Sequence, residues 1–254
     1  MTELLDFPGG ELEVVDLPGE ADGHPLVLMH GGLGSAGLWD EFSHALNSET
    51  GCRIVAFSRH GHGRSAPPPK PRTPAFMHEE AREVLPEILA RLQLESPVLV
   101  GHSDGASIAL IYAADHQVPG LVAIAPHVFV EQVCIDEITR ARERYENGDL
   151  REKMVPHHHD VDSAFFGWCD VWLDPAFPAW DIRELVRRVA APMLLIQGIA
   201  DQYGTLAQLD EIERLAPGPV QRLQLDCRHA PFMQRPEETV EAIVRFVSAG
   251  GLMP

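Results

Sequence analysis

A doubly wound α/β fold is what this sequence predicts, and three observations predict it. Five short apolar runs show no alternation, helically spaced apolar patterns lie between them, and a glycine-flanked serine marks the junction of one run with the next helix. The runs are "PLVLMHG" (25–31), "CRIVAFS" (52–58), "PVLVGHS" (97–103), "GLVAIAP" (120–126) and "PMLLIQG" (192–198). A strand apolar on both faces belongs at the centre of a parallel sheet covered by helices. "ELEVVDLP" (11–18) and "VQRLQLD" (220–226) alternate more, as strands nearer an edge do. Helical spacing is found in "AFMHEEAREVLPEILARLQL" (75–94), "GASIALIYAADH" (105–116), "TLAQLDEIERLA" (205–216) and "PEETVEAIVRFVSAG" (236–250). Pro86 should kink the first of these or delay its start, because proline lacks the N–H that helix continuation needs.

Composition narrows the function classes. With 254 residues, 45% of them hydrophobic, the chain can bury a full core as one large domain. A formal charge of −18 repels phosphate backbones and anionic membrane surfaces, so neither nucleic acid nor membrane is an expected partner. A small-molecule substrate is expected, and a homodimer is a compatible assembly. The opening "MTELLDFPGGELEVV" lacks a basic stretch followed by an apolar one, and no run approaches the roughly 20 apolar residues that span a bilayer, which predicts a cytoplasmic protein. Cys52, Cys134, Cys169 and Cys227 are scattered without a C-x-x-C pair, suggesting reduced thiols rather than disulfides or a zinc ribbon.

One interval breaks the β–α rhythm. The stretch between "GLVAIAP" and "PMLLIQG" is too long for one helix and its loops. Its first half (131–154) is charged and helical; its second, "DSAFFGWCDVWLDPAFPAW" (162–180), is the most aromatic part of the chain. A polar outside with an aromatic inside suits a cap over a pocket, although a helical extension with its own small core would use the same residues. The position favours the cap, since open α/β sheets bind ligands beyond the carboxyl ends of their strands. The predicted organisation is a core of residues 1–127 and 186–254 with a helical cap over 128–185. Trp168, Trp172 and Trp180 are then expected to line the substrate pocket. In "VPHHHDVD" (155–162), His157, His158, His159 and Asp160 are consecutive, and adjacent side chains point different ways, so they do not suit one tetrahedral metal. No metal and no cofactor is predicted; His158 is the member of the run expected to face the pocket.

The chemistry is carried by Gly101-His102-Ser103-Asp104-Gly105, a G-x-S-x-G sequence between a strand and a helix. A serine on so tight a turn projects its hydroxyl past the sheet, while the helix start supplies unpaired N–H groups suited to an oxyanion. A serine needs a base and the base needs a carboxylate. Asp201 in "LLIQGIADQYG" and His229 in "LQLDCRHAPF" each follow a predicted strand, on the same sheet edge as Ser103 and in the order Ser, Asp, His. "VLMHGGLGS" leaves a flexible loop able to aim the N–H of Gly32 or Leu33 at the same place, with the Asp104 N–H as its partner. That loop fits neither glycine-rich nucleotide-binding pattern.

Together, "HGGLGS", "FSRHGHGRS", "GHSDG", "GIAD" and "RHAPF" resemble the α/β-hydrolase superfamily over nearly the whole chain. The resemblance implies an eight-stranded, mostly parallel sheet with a helical cap after the sixth strand. It implies Ser103, Asp201 and His229 as nucleophile, acid and base, and Gly32 or Leu33 with Asp104 as the oxyanion hole. Two departures stand out: Ser58 where many members carry Asp, and Arg228 where glycine commonly precedes the histidine, a place from which it could salt-bridge locally. "SDG" is also similar to the valacyclovir-hydrolase type, which implies Asp104 as a binding group for a substrate amine; the alternative is that Asp104 caps its own helix. The expected activity is hydrolysis of a small carboxylic ester or thioester through an acyl-enzyme. A serine C–C bond hydrolase or lactonase needs the same triad, and a non-catalytic small-molecule receptor on this fold is the reading from another class.

Overall fold

The computed structural model describes residues 2–20 and 23–253. Strands β1 (Thr2–Phe7), β2 (Gly10–Leu17), β3 (Leu26–Met29), β4 (Ile54–Phe57), β5 (Val98–His102), β6 (Leu121–Ile124), β7 (Met193–Gly198) and β8 (Val220–Leu225) form one sheet, ordered β1-β2-β4-β3-β5-β6-β7-β8. β2 runs antiparallel to both neighbours, and β3 to β8 are mutually parallel. The winding reverses where β3 meets β5, with Met29 opposite Gly101. The loops leaving these two strands therefore emerge side by side at the crevice where such sheets bind ligands.

Why the central strands are apolar throughout follows from what covers them. Leu26, Leu28, Ile54, Val98, Val100 and Val122 pack on one side with Phe42 and Leu46 of α1 (Asp40–Thr50) and Ile243 and Val247 of α11 (Pro236–Ala249). The alternate residues Val27, Met29, Val55, Leu99 and Leu121 pack on the other side. There they meet α3 (Leu85–Arg91), α4 (Asp104–Asp115) and α9 (Ala207–Leu215). The helix predicted over 75–94 is present in pieces: α2 (Phe76–Glu79), a π-helical turn Glu80–Val84, then α3 with Pro86 in its first turn. The wider turn lies just before Pro86, which has no N–H to continue a regular helix.

Between β6 and β7 lie α5 (Gln132–Asn147), α6 (Leu150–Met154), α7 (Val161–Trp172) and α8 (Arg183–Val186). The neck of this insert is closed by an isolated bridge between Phe129 and Asp181 and by Ile182 N–H donating to Val128 O at 2.8 Å. Its apolar side chains, among them Ile138, Phe165, Trp172 and Phe177, are continuous with the cluster that covers β5 and α4. The insert thus shares the core rather than building a separate one. The last helical pieces, α10 (Pro231–Gln234) and α11, follow β8. Among the described residues no helix is long and apolar enough to cross a membrane, and the four cysteines are unpaired and buried.

Candidate active site

Ser103 sits between β5 and α4 with φ 53° and ψ −120°, a left-handed conformation that costs a non-glycine residue free energy. What holds it there is the packing of the turn. Ser103 N–H donates to Ile124 O at 2.9 Å on the neighbouring strand. A Cβ at Gly101 would come within 2.3 Å of Gly105 O, and one at Gly105 within 2.2 Å of Met29 O, so both flanking positions require glycine. Ser103 lines a cavity of about 170 Å³ together with the 30–34 loop, His229 and residues of α5 and α7. Its hydroxyl makes no hydrogen bond among the described residues, which leaves it available to a ligand; such contacts in unliganded sites often tighten only when substrate binds.

Asp201, in the loop after β7, and His229, after β8, meet: His229 Nδ1 lies 2.9 Å from each carboxylate oxygen. Since a carboxylate only accepts, Nδ1 carries the proton and Nε2 is the free nitrogen. Asp201 also accepts from Tyr203 N–H at 2.8 Å and from Gln197 Nε2 at 3.2 Å. Burial alone would raise its pKa, yet the His229 charge, the hydrogen bond from His229 and that from the Tyr203 N–H outweigh it, and the carboxyl is held below its ordinary value. The loop carrying His229 is anchored in turn by His102, whose Nε2–H donates to His229 O at 2.8 Å.

Near Ser103, the N–H groups of Gly32, Leu33 and Asp104 have no acceptor among the described residues. Gly32 is also pressed against the insert, because a Cβ there would lie 2.1 Å from Trp168 Cδ1. Asp104 is buried with both carboxylate oxygens unpartnered. Its side chain therefore does not cap α4. Burial raises its pKa, opposed by Arg59, then Arg72, then the indole of Trp172. The Trp172 N–H is near enough to act on the carboxylate but makes no hydrogen bond of ordinary geometry.

Trp168 and Trp172 line the cavity as expected from their place in the aromatic segment. Trp180 does not; its ring stacks parallel to Phe177, with centroids 5.9 Å apart, in the apolar body of the insert. His158 does not line it either. Both its ring nitrogens are engaged with backbone, Nδ1 accepting from Gly63 N–H at 3.0 Å and Nε2–H donating to Leu33 O at 3.1 Å. Its neighbours His157 and His159 are exposed, so the run diverges, and among the described residues no three His, Cys, Asp or Glu side chains are grouped to hold a metal. Unanticipated cavity residues are His102, His127 and Tyr203. His127 follows β6 as Asp201 follows β7, and that strand-end position was the signal available for it.

Both departures from the family pattern have structural counterparts. Ser58 Oγ accepts from Ala36 N–H at 2.8 Å and donates to Glu13 Oε2 at 2.7 Å, so the carboxylate comes from β2 instead. Arg228 forms no salt bridge among the described residues; its Nε donates to Gln202 Oε1 at 3.2 Å and its N–H to Gln234 Oε1 at 2.8 Å, bracing the histidine loop with neutral partners.

Residues 24–236 match the family model described as "alpha/beta hydrolase fold". The chain belongs to that family. It is 23% identical over 266 residues to the sn-1-specific diacylglycerol lipase ABHD11 of Danio rerio, covering 90% of this chain and 80% of the relative. Against protein phosphatase methylesterase 1 of Homo sapiens it is 34% identical over 122 residues, which is 46% of this chain and only 31% of that protein. Among solved structures, the enol-lactonase from Burkholderia xenovorans LB400 superposes with a TM-score of 0.78 at 20% identity, covering 97% of this chain and all of that one. An esterase from Exiguobacterium antarcticum gives 0.76 at 19% identity, covering 98% of this chain and 100% of that one. These relatives and neighbours are named for hydrolytic activities.

Proposed function

We propose that the protein is a serine hydrolase that cleaves a small carboxylic ester or thioester through an acyl-enzyme. The observation that carries this reading is one cavity lined by a strained, unbonded Ser103, by His229 with Asp201 behind it, and by Gly32, Leu33 and Asp104 with their unspent N–H groups. In the proposed reaction Ser103 Oγ attacks the substrate carbonyl and its proton passes to His229 Nε2, with Asp201 stabilising the resulting imidazolium. The carbonyl oxygen, now an anion, is received by the Asp104 N–H and by that of Gly32 or Leu33. Collapse expels the alcohol or thiol, which takes the proton from His229, and water repeats the sequence to free the acid. A cavity of about 170 Å³ is smaller than the roughly 300–1,000 Å³ of drug-sized sites, which supports a small substrate. Ser103→Ala should abolish ester turnover, by about 10⁶ in kcat, with the fold retained. A fluorophosphonate should label the wild type at Ser103, and labelling elsewhere would overturn the assignment.

Asp104 supports a finer reading, in which the substrate is an ester bearing an amine near its carbonyl. A buried carboxylate with neither oxygen hydrogen-bonded is costly unless a ligand completes it. An ammonium group placed there should be worth roughly 1.5–3 kcal/mol. An α-amino ester should then be preferred over its des-amino analogue by at least about tenfold in kcat/KM, and Asp104→Asn should lose that preference. Equal rates for the two esters on the wild type would remove the amine from the proposal while leaving the serine hydrolase in place. A cyclic ester needs the same triad, so lactones belong in the same substrate panel.

A further inference from the structure

The carbonyl side of the 30–34 loop is held by side chains one peptide at a time. Gly31 O accepts from His30 Nδ1–H at 2.7 Å and from Arg59 Nη2 at 3.0 Å. Gly32 O accepts from His62 Nε2–H at 2.8 Å, and Leu33 O from His158 Nε2–H at 3.1 Å. In a trans peptide the N–H of one residue points opposite to the C=O of the residue before it. Fixing Gly31 O therefore fixes the direction of the Gly32 N–H, and fixing Gly32 O does the same for Leu33. The N–H groups of Gly32 and Leu33 have no acceptor among the described residues, whereas the Gly34 N–H is spent on Gly31 O at 3.1 Å.

The tautomers are set by what lies behind each ring. Arg72 Nη2 donates to His62 Nδ1 at 3.0 Å and to His60 O at 2.6 Å; His60 O, 3.3 Å from Nδ1, is thereby engaged, and a guanidinium never accepts, so His62 carries its proton on Nε2, 2.8 Å from Gly32 O. Gly63 N–H makes the same demand of His158, while the Arg59 N–H, donating to His30 Nε2 at 3.0 Å, puts the His30 proton on Nδ1. Burial first, then the charge of Arg72, keeps His62 well below its ordinary pKa, and His158 is lowered by burial, so both rings are neutral. Two different parts of the fold supply these holds. Arg72 comes from the proline-rich stretch after β4, and His158 comes from the insert, where His159 N–H also donates to Gly63 O at 2.7 Å.

We propose that His62, with its tautomer imposed by Arg72, is a positioning residue that aims the unspent Leu33 N–H of the 30–34 loop at the oxyanion of the reaction. This rests on the serine hydrolase reading but is testable apart from it. An arylboronic acid, which forms a tetrahedral adduct on a serine and places an oxygen where the oxyanion would lie, measures the site without any turnover. His62→Leu should weaken boronate binding about 10²-fold, the cost of misdirecting one oxyanion donor, and lower kcat by a similar factor with KM within about threefold. His62→Gln, whose amide can donate to Gly32 O and accept from Arg72, should recover most of both. Nitrogen NMR of the wild type should find His62 and His158 in the Nε2–H form, and Arg72→Leu should release the His62 preference.

The proposal is overturned if boronate binds the wild type and His62→Leu equally, or binds neither. It is also overturned if His62 carries its proton on Nδ1, or if a folded His62→Gln is as impaired as His62→Leu. Should the wild type bind boronate in a His62-dependent manner and yet cleave no ester, the function proposed above fails and this inference stands.

Discussion

At the scale of single residues, the most informative number is the φ of 53° at Ser103. A side chain in that region is strained by about 1–3 kcal/mol, and the strain persists because the strand, the helix and Gly105 against Met29 O leave no other path. Comparing two inactive variants isolates it. Alanine keeps the Cβ and the strain, glycine loses both, and no Ser103 side-chain hydrogen bond is sacrificed in either. Ser103→Gly should thus be more stable than Ser103→Ala by about 1 kcal/mol in urea unfolding, the reverse of the order in an ordinary helix. An alanine variant as stable as the glycine one would mean that the turn is relaxed. Ser103, Asp201 and His229 were legible because chain order and strand ends are properties of sequence. The orientation of Asp104 was not: an aspartate at a helix start reads more readily as a cap than as a binding group, and its two unpartnered oxygens speak against the cap. His158 was misjudged for a similar reason, since a backbone carbonyl and a backbone N–H leave no trace in sequence as partners.

Elements were readable wherever one periodicity was imposed by burial on both sides. The seven strands picked out by their apolar runs all form. β1 escaped because most of its residues are exposed and it pairs only with β2, so no burial pattern was written into "TELLDF". α1 escaped because only Phe42, Ser43, Leu46 and Thr50 are buried in its eleven residues, too sparse a stripe to stand out. The aromatic half of the insert was legible as a buried surface, but density of rings does not say which ring faces the cavity. Trp168 presses on Gly32 and borders the cavity, while Trp180 is stacked on Phe177 away from it. The two should respond differently to truncation. Trp180→Ala should cost about 3–5 kcal/mol of stability and leave ester selectivity unchanged, as removal of a buried indole does. Trp168→Ala should shift KM and acyl-chain preference instead, read from a series of p-nitrophenyl esters. The assignment of the two rings fails if Trp180→Ala alters selectivity while its melting temperature stays at the wild-type value.

For the whole molecule, the same imidazoles that build the site make the fold sensitive to acid. Burial first and the His229 charge second hold both His102 and His127 at about 3, and His30 and His62 are also well below the ordinary 6.5. When the folded pKa is depressed, the unfolded chain binds protons that the folded one refuses. The stability these rings allow is complete above pH 6.5 and is lost as pH falls toward their folded values. Each fully protonating histidine in the unfolded state costs about 1.4 kcal/mol per pH unit, so His102 and His127 together should remove about 2–3 kcal/mol between pH 7.5 and 5.5. Two effects oppose this. The carboxyls of Asp104 and Glu80, raised by burial, favour the folded state once pH falls through their own folded values. A net charge of −18 also repels itself less on acidification, a term that salt screens. Asp201, held low, starts to matter only near pH 4 and below. In 0.15 M salt, where self-repulsion is damped, the histidines should prevail and the urea midpoint should fall from pH 7.5 to 5.5. Replacing His127 with Gln should reduce the slope by about 1 kcal/mol over that interval, since one of the two strongly depressed rings is gone. A midpoint that holds steady or rises on acidification would mean that the rings take up protons in the folded state, and that the cavity around His229 is wetter than its packing implies.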